Sequence, residues 1–212
     1  MAVFMIKKFL VLTFLFVCFS NVSYAKVKPI EEQRVEWNEW LKDLKEEMLE
    51  KGISKKTIKK AYKEDYFHEI KEVVLQDKKQ AEFLLTSDKY INRLINKNKV
   101  SLARKHYQNL KHKYQEISDK YGVPLNYLIS FWAIETHFGF NKGKYHLIDS
   151  LTNLSYKNRR SVFFKKELFN VLKIMDTYDL DGDKIRGSWA GAMGHFQFMP
   201  SCWLKDISTR KI

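Results

Sequence analysis

The sequence predicts a mainly α-helical protein. Apolar residues recur with the 3.6-residue period of an amphipathic helix along much of the chain. Helix breakers are scarce before residue 120, where Pro29 and Gly52 are the only ones among the 3 Pro and 8 Gly of 212 residues. The alternation that marks a half-buried strand is convincing nowhere, and a short hairpin near residues 145–156 is the single candidate for strands.

The N-terminal part reads as a series of helices. Apolar residues at helical spacing predict the first one, and they are Trp37, Leu41, Leu44 and Met48. We expect Gly52 to end this helix and Ser54, a favoured N-cap residue, to begin a short helix through Tyr62. The charged residues 68–98 predict two more helical pieces.

Three further helices follow from the same spacing. A long one over about residues 100–120 is indicated by the spacing of Leu102, Tyr107, Leu110, Tyr114 and Ile117. Gly122 and Pro124 break it, and the next helix starts near Pro124 and ends near Gly139. Its apolar face consists of Leu125, Leu128, Ile129 and Trp132. The last predicted helix, about residues 161–178, buries Phe164, Leu168, Leu172 and Met175.

The first 25 residues have the organisation of a secretory signal peptide. Two lysines precede an apolar run, Phe9 to Phe19, that is too short to span a bilayer comfortably. Ser23 and Ala25 offer the small residues of a cleavage site; an uncleaved N-terminal anchor is the alternative. We therefore expect an exported, periplasmic protein with one domain over residues 26–212. Cys202 is then the only cysteine left, so no intrachain disulfide can form.

The chain is strongly basic. Its net charge is +13, and removal of Lys7 and Lys8 with the signal peptide leaves 13 − 2 = +11. Such a surface favours acidic polymers, anionic lipid or a cell wall that carries peptide carboxylates. Export argues against nucleic acid as a partner. An equally weighted alternative is that lysine-rich helix faces only keep the protein soluble.

Glu135 is the first candidate for a catalytic residue. It lies late in an apolar helix, where its neighbours at helical spacing are Phe131, Trp132 and Phe138. Such surroundings would desolvate the carboxylate and raise its pKa, so that it could donate a proton to a glycosidic oxygen. Helix position alone favours the alternative, which is a surface glutamate near a helix end.

Residues 187–201 form the second candidate element. Three glycines and two alanines in eight residues let the backbone approach a ligand closely. Gln197 can donate and accept hydrogen bonds with sugar hydroxyls or N-acetyl groups, and nearby aromatic residues can stack on sugar rings. A tight turn packed on the core is the alternative. Arg159 and Arg160 could bind carboxylates, although an exposed basic pair in a loop fits their spacing better.

The sequence predicts neither a metal site nor a cofactor. No HExxH motif or Cys/His cluster is present. The acidic turn Asp179–Asp183 is similar to the start of a calcium loop, but Lys184 and Ala190 stand where such a loop needs Gly and Glu.

Seven sequence blocks, in this order and spacing, resemble the lytic murein transglycosylase B family. The resemblance extends over about residues 35–201 and is strong from residue 121. The run of residues 187–201 is its most specific block. The blocks are Gly122-Val123-Pro124, Ile134-Glu135-Thr136, Gly139, residues 149–154 (DSLTNL), Arg159-Arg160, residues 163–168 (FFKKEL) and residues 187–201.

This resemblance implies a lysozyme-like helical core. It implies cleavage of the β-1,4 bond between N-acetylmuramic acid and N-acetylglucosamine, with a 1,6-anhydromuramic product. Glu135 would act first as acid and then as base, without a second catalytic carboxylate. Ser188, Gln197 and Phe198 match groove residues of the family. Arg159 and Arg160 match residues that would meet the peptide stem or the lactyl carboxylate.

The sequence departs from the family pattern at several points. Asn158 stands where Pro is usual, His137 replaces an Arg or aromatic residue, and Cys202 replaces a second Ser. The chain also ends at Ile212, whereas the resemblance implies further helices and aromatic groove residues. We therefore expect a catalytic domain that is truncated, with an incomplete fold and groove, at its C-terminus.

Three functional hypotheses follow. The first is a monomeric, exported lytic transglycosylase whose partner is the glycan strand of peptidoglycan. The second is a catalytically inactive remnant of the same family that binds the cell wall. The third is a basic helical protein that associates with the membrane surface, although it leaves the composition of residues 187–201 unexplained.

Overall fold

The computed structural model describes residues 29–62, 71–78 and 86–209. Helices dominate this part of the chain, so the prediction of a mainly α fold is confirmed. The predicted signal peptide, residues 1–25, lies outside the described residues. The larger compact unit begins at Trp37, within the first helix.

The first two helices match their prediction closely. Helix α1 spans Ile30–Glu50 and helix α2 spans Lys55–Ala61. The Ser54 hydroxyl accepts a hydrogen bond from the Thr57 backbone N–H at 3.2 Å, as expected of an N-cap. The Asp176 carboxylate accepts hydrogen bonds from the Ser54 N–H and the Thr57 hydroxyl, at 2.9 and 2.7 Å, and so fastens the start of α2 to a distant helix.

The next three helices are α3 (Lys71–Lys78), α4 (Ser87–Leu94) and α5 (Lys97–Tyr121). Gly122 ends α5 in the left-handed conformation, with φ of 63°, as the sequence predicts. The predicted apolar face of α5 is only partly buried. Tyr107 and Ile117 are 37% and 44% exposed, whereas Leu102, Leu110 and Tyr114 pack against the following helix.

Helix α6 spans Leu125–Thr136 and carries Glu135 in its last turn. Leu125 and Ile129 are buried as predicted, and this face packs on α5. The helix ends three residues before Gly139, because His137 already adopts a left-handed backbone with φ of 48° and caps the helix. Pro124 takes the N-cap position instead of the first helical position.

The predicted hairpin at residues 145–156 is wrong. Strand β1 comprises only Tyr145–His146, and helix α7 follows at once over Leu147–Ser155. The partner of β1 is strand β2, Arg186–Gly187, which pairs with it antiparallel. Pairing between segments so far apart in sequence leaves no local pattern, and in α7 every residue except Asp149 is buried, which hides the helical period.

The remaining elements are helix α8 (Ser161–Tyr178), a 3₁₀ turn (Gly182–Lys184) and helix α9 (Pro200–Thr209). The main core joins α1, α2 and α3 to α7 and α8. A second, smaller cluster lies between α5 and α6. Within the described ranges no helix has the length and apolarity to cross a bilayer, and no group of three or more potential metal ligands is found.

His146 joins three segments around the start of α7. Its side chain is 15% exposed, and Nδ1 lies 3.0 Å from the Asp149 carboxylate. Nε2 lies 3.8 Å from the carboxylate of Asp183, in the 3₁₀ turn. The adjacent Asp149 carboxylate is the main cause that raises the pKa of His146, against desolvation and the charge of Arg186, which lower it.

We expect this histidine to make stability depend on pH. Because the folded pKa exceeds the unfolded value of about 6.5, the stabilisation is complete below that value and is lost as pH rises through the folded pKa. Urea unfolding between pH 6 and 8.5 should therefore show falling stability in the wild type and a flatter profile in His146→Gln. The same substitution at the exposed His112 is the control. Equal slopes in His146→Gln and the wild type would contradict this expectation.

Candidate active site

Glu135 lies on the last turn of helix α6. Beyond it, the His137 N–H donates to the carbonyl oxygens of Ala133 and Trp132, which closes the helix and turns the chain away. The Glu135 side chain is exposed. The carboxylate therefore stands at a helix end, where a large substrate can reach it.

The prediction that Phe131, Trp132 and Phe138 enclose this carboxylate is wrong. Phe131 is 58% exposed, whereas Phe138 is buried and turned toward α5. Its ring stacks on His106 at 4.5 Å and contacts the Trp132 ring edge-on at 5.5 Å. Two of the three aromatic rings thus belong to the α5–α6 interface, which leaves Glu135 open to solvent.

Residues 187–201 fold into a tight, internally hydrogen-bonded segment. The Ser188 N–H donates to the Ala192 carbonyl at 2.8 Å, and the Ala192 N–H donates to the Ser188 hydroxyl at 3.0 Å. Isolated bridges then pair Met193 with Gly187 and with Phe198. The Ser188 hydroxyl therefore has a structural role as well as a half-buried position.

Two glycines let the chain after α6 approach this segment. A Cβ atom on Gly143 would lie 2.0 Å from the carbonyl carbon and oxygen of Gly187. One on Gly139 would lie 2.4 Å from Cε1 of His195. Both glycines have positive φ, so their lack of a side chain serves the turn and the close contact together.

Hydrogen bonds join the turn that carries Glu135 to the same segment. The Thr136 hydroxyl donates to the His195 carbonyl oxygen at 2.7 Å, and the Trp132 indole Nε1–H donates to His195 Nδ1 at 2.9 Å. The structure thus brings together two elements that are about 60 residues apart. Neither His195 nor its partners were predicted as site residues, since only the chain's three-dimensional course reveals the pairing.

Gln197 connects the segment to the loop that follows α6. Its side-chain N–H₂ group donates to the carbonyl oxygens of Lys142 and Gly194, at 3.2 and 3.0 Å. These bonds fix the amide, and they do not use its oxygen, which is an acceptor. Gln197 also has a positive φ of 49°, a backbone strain that occurs preferentially at functional positions.

Two phenylalanines flank Gln197 and form an exposed aromatic surface. Phe196 and Phe198 are 36% and 54% exposed, and their rings stack 6.3 Å apart with an interplanar angle of 26°. Exposed rings next to an oriented amide are suited to hold a sugar, because one face stacks on the ring while the amide meets its polar substituents. Ser188, Gln197 and Phe198 therefore lie in one segment that hydrogen bonds to the Glu135 turn.

The two arginines occupy different environments. Arg159 is exposed, whereas Arg160 pairs with the buried Asp77 of α3 and its guanidinium lies 5.0 Å from the centre of the Phe164 ring. The described residues form no hydrogen bond or ion pair that joins either arginine to the Glu135 turn. Asp77 lies 83 positions away in sequence, so local spacing could not indicate this partner.

Glu167 is a buried residue that connects helix α8 to the start of helix α9. It is only 2% exposed, and its carboxylate accepts a hydrogen bond from the Ser201 N–H at 2.8 Å. A carboxylate at a helix N-terminus offsets the unpaired N–H groups and the positive end of the helix dipole. Glu167 therefore anchors the start of α9, directly after the 187–201 segment, on helix α8.

The sequence model of the family described as Transglycosylase SLT domain matches residues 36–206. The chain belongs to this family. A similar curated protein is the membrane-bound lytic murein transglycosylase B of Escherichia coli K12. It is 38% identical over 84 residues, which cover 39% of this chain and 23% of that protein.

Two solved structures have a fold similar to that of this chain. SltB3 from Pseudomonas aeruginosa, in complex with NAG-NAM-pentapeptide, has a TM-score of 0.73 at 27% sequence identity. The match covers 80% of this chain and 45% of the SltB3 chain. Escherichia coli Slt35, in complex with bulgecin A, has a TM-score of 0.60 at 26% identity, covering 69% of this chain and 48% of its own. The resemblance and the lysozyme-like fold are confirmed. This family member spans less than half the length of each of these relatives.

Proposed function

We propose that this chain is a peptidoglycan lytic transglycosylase with Glu135 as its catalytic residue. The observation that carries the proposal is the junction of the Glu135 turn with residues 187–201, through Thr136, Trp132 and His195. It joins the turn that carries the exposed Glu135 to the segment that carries the oriented Gln197 amide and the exposed rings of Phe196 and Phe198. Membership of the transglycosylase family supports the reaction type.

In the proposed reaction Glu135 acts twice. The protonated carboxyl first donates its proton to the oxygen of the β-1,4 bond that leaves with N-acetylglucosamine. The resulting carboxylate then takes the proton of the muramic 6-hydroxyl as that oxygen attacks C1 and closes the 1,6-anhydro ring. Glu135 ends protonated as it began, no water is consumed, and no cofactor is required.

We assign substrate binding to the residues that the sequence singled out. Phe198 would stack on a sugar ring, while Gln197 and Ser188 would meet its polar substituents. Arg159 and Arg160 would meet peptide or lactyl carboxylates; the peptide-bearing ligand of SltB3 supports a substrate of this kind. Arg159 is the better placed of the two, because the guanidinium of Arg160 already pairs with Asp77.

The wider setting of the proposal comes from the sequence. Residues 1–25 would direct export to the periplasm, and residues 26–212 would form the transglycosylase domain that works there as a monomer. The charge of +11 would favour association with the cell wall or with a membrane surface.

Digestion of purified sacculi tests this proposal. We expect soluble muropeptides that end in 1,6-anhydromuramic acid, identified by mass spectrometry. Reducing ends in their place would indicate hydrolysis and overturn the transglycosylase reaction. If the folded protein pellets with sacculi without releasing product, the chain is a binding protein of the same family. If it pellets only with anionic vesicles, the membrane-surface hypothesis holds.

The arginine pair should separate into a binding and a structural member. We expect Arg159→Ala to weaken binding to peptide-bearing muropeptides and to leave the unfolding free energy unchanged. Arg160→Ala removes the partner of buried Asp77 and should cost roughly 3 kcal/mol of stability. Urea unfolding and pelleting with sacculi measure the two effects. Equal stability losses in both variants would contradict the assignment.

A further inference from the structure

His195 makes a hydrogen bond that fixes its own ring. The indole Nε1–H of Trp132 can only donate, so Nδ1 of His195, 2.9 Å away, must accept. The tautomer that makes this bond carries its hydrogen on Nε2. The ring also lies against the backbone of Gly139. A Cβ atom on Gly139 would be 2.4 Å from Cε1 and 2.5 Å from Nδ1 of His195. The Nδ1 edge of the imidazole is thus hydrogen-bonded to Trp132 of helix α6.

The backbone of His195 makes a second bond to the same helical turn. Its carbonyl oxygen accepts from the Thr136 hydroxyl at 2.7 Å, and that hydroxyl in turn accepts from the Gly139 N–H at 3.0 Å. Trp132 and Thr136 lie on either side of Glu135 in the sequence. The two contacts of His195 therefore bracket the catalytic turn.

The bond between the two rings is not required by burial. His195 is exposed and Trp132 is half-buried, so water could satisfy both polar atoms if they separated. The Trp132 ring also packs against His106, with ring centres 5.0 Å apart, and against Phe138, with ring centres 5.5 Å apart. His195 completes this support on the side that faces residues 187–201. The bond therefore affects the direction of the turn more than the solvation of either ring.

We propose that His195 is a positioning residue for Glu135. It acts through Trp132 and Thr136, which keep the catalytic turn in register with the segment that carries Gln197 and Phe198. The inference rests on the proposed function, in which Glu135 must reach first the glycosidic oxygen and then the 6-hydroxyl. Small misplacements of a reacting group cost large factors in rate, so orientation is where this bond would matter.

Kinetics of four variants of the full chain and one control variant test the role. His195→Ala and Trp132→Phe should each lower kcat on soluble muropeptides by about 10- to 100-fold, with little change in KM. His195→Asn should recover most of that loss, because its Oδ1 stands where Nδ1 accepts. The double variant Trp132→Phe/His195→Ala should be no slower than the slower single one. His112→Ala, at an exposed histidine of α5, is the matched control.

Two spectroscopic measurements keep the test independent of activity. In His195→Ala the indole ¹H–¹⁵N resonance of Trp132 and the carboxyl ¹³C resonance of Glu135 should both move, and His195→Asn should move them less. Circular dichroism establishes that each variant is folded. Unmoved resonances, a change confined to KM, or an Asn variant as slow as the Ala variant would each overturn the positioning role. A wild type without lytic product would overturn the proposed function, while the resonances still decide whether His195 orients the Glu135 turn.

Discussion

The Glu135→Gln variant is expected to lose the release of soluble muropeptides from sacculi. The amide can neither donate a proton to the glycosidic oxygen nor accept one from the 6-hydroxyl, so both steps fail. Removal of a general acid–base group costs about 10²- to 10⁴-fold in rate. The exchange conserves shape, and the side chain is exposed, so folding should be unaffected. Quantification of released muropeptides by chromatography gives the measurement.

A matched control separates chemistry from charge. Glu116 is an exposed glutamate on helix α5, and Glu116→Gln removes the same charge without touching the site. It should digest sacculi at the wild-type rate. Glu135→Gln should still pellet with sacculi, since Gln197 and Phe198 remain in place. Full activity in Glu135→Gln would show that another group supplies the proton, and the assignment of Glu135 would then be abandoned.

Sequence reasoning predicted the helices well where one face is buried and the other is wet. In α1 the spacing of Trp37, Leu41, Leu44 and Met48 carries that contrast directly, and all four are buried. Helix α7 lacks the contrast because it is covered on nearly every side. Strand β1 gave no signal either, since two residues paired with a segment some 40 positions away have no local pattern.

The candidate site, like the fold, was predicted only in part. Family blocks indicated Glu135 and the 187–201 segment, and hydrogen bonds of Trp132 and Thr136 with His195 join the helical turn that carries Glu135 to that segment. Spacing on a helix says which residues share a face but not what packs on that face, so the aromatic enclosure of Glu135 was predicted wrongly. The pairing of Arg160 with Asp77 and of Glu167 with the Ser201 N–H are both long-range contacts. Such contacts depend on the fold, which local sequence does not encode.

Gly143→Ala should be among the most damaging single-methyl changes in this molecule. Gly143 has φ of +96°, and a Cβ there would lie 2.0 Å from the Gly187 carbonyl group and 2.5 Å from the Ser188 nitrogen. These are backbone atoms, which cannot move to relieve the overlap as the end of a flexible side chain can. We expect a loss of roughly 2–6 kcal/mol, from about 1–3 kcal/mol of strain and about 1–3 kcal/mol of overpacking. Urea unfolding measures it.

Gly52→Ala is the control that separates the steric overlap of the added Cβ from the backbone strain of the positive φ angle. Gly52 has a similar positive φ of +81°, but a Cβ there would meet nothing within 4 Å. It should therefore cost only the left-handed backbone strain of about 1–3 kcal/mol. The excess in Gly143→Ala then measures how tightly the loop after α6 is pressed on the 187–201 segment. Because that contact keeps Gln197 beside Lys142, the variant should also digest sacculi more slowly than Gly52→Ala. Equal stability and equal digestion in the two variants would mean that the two halves of the site are not in close contact.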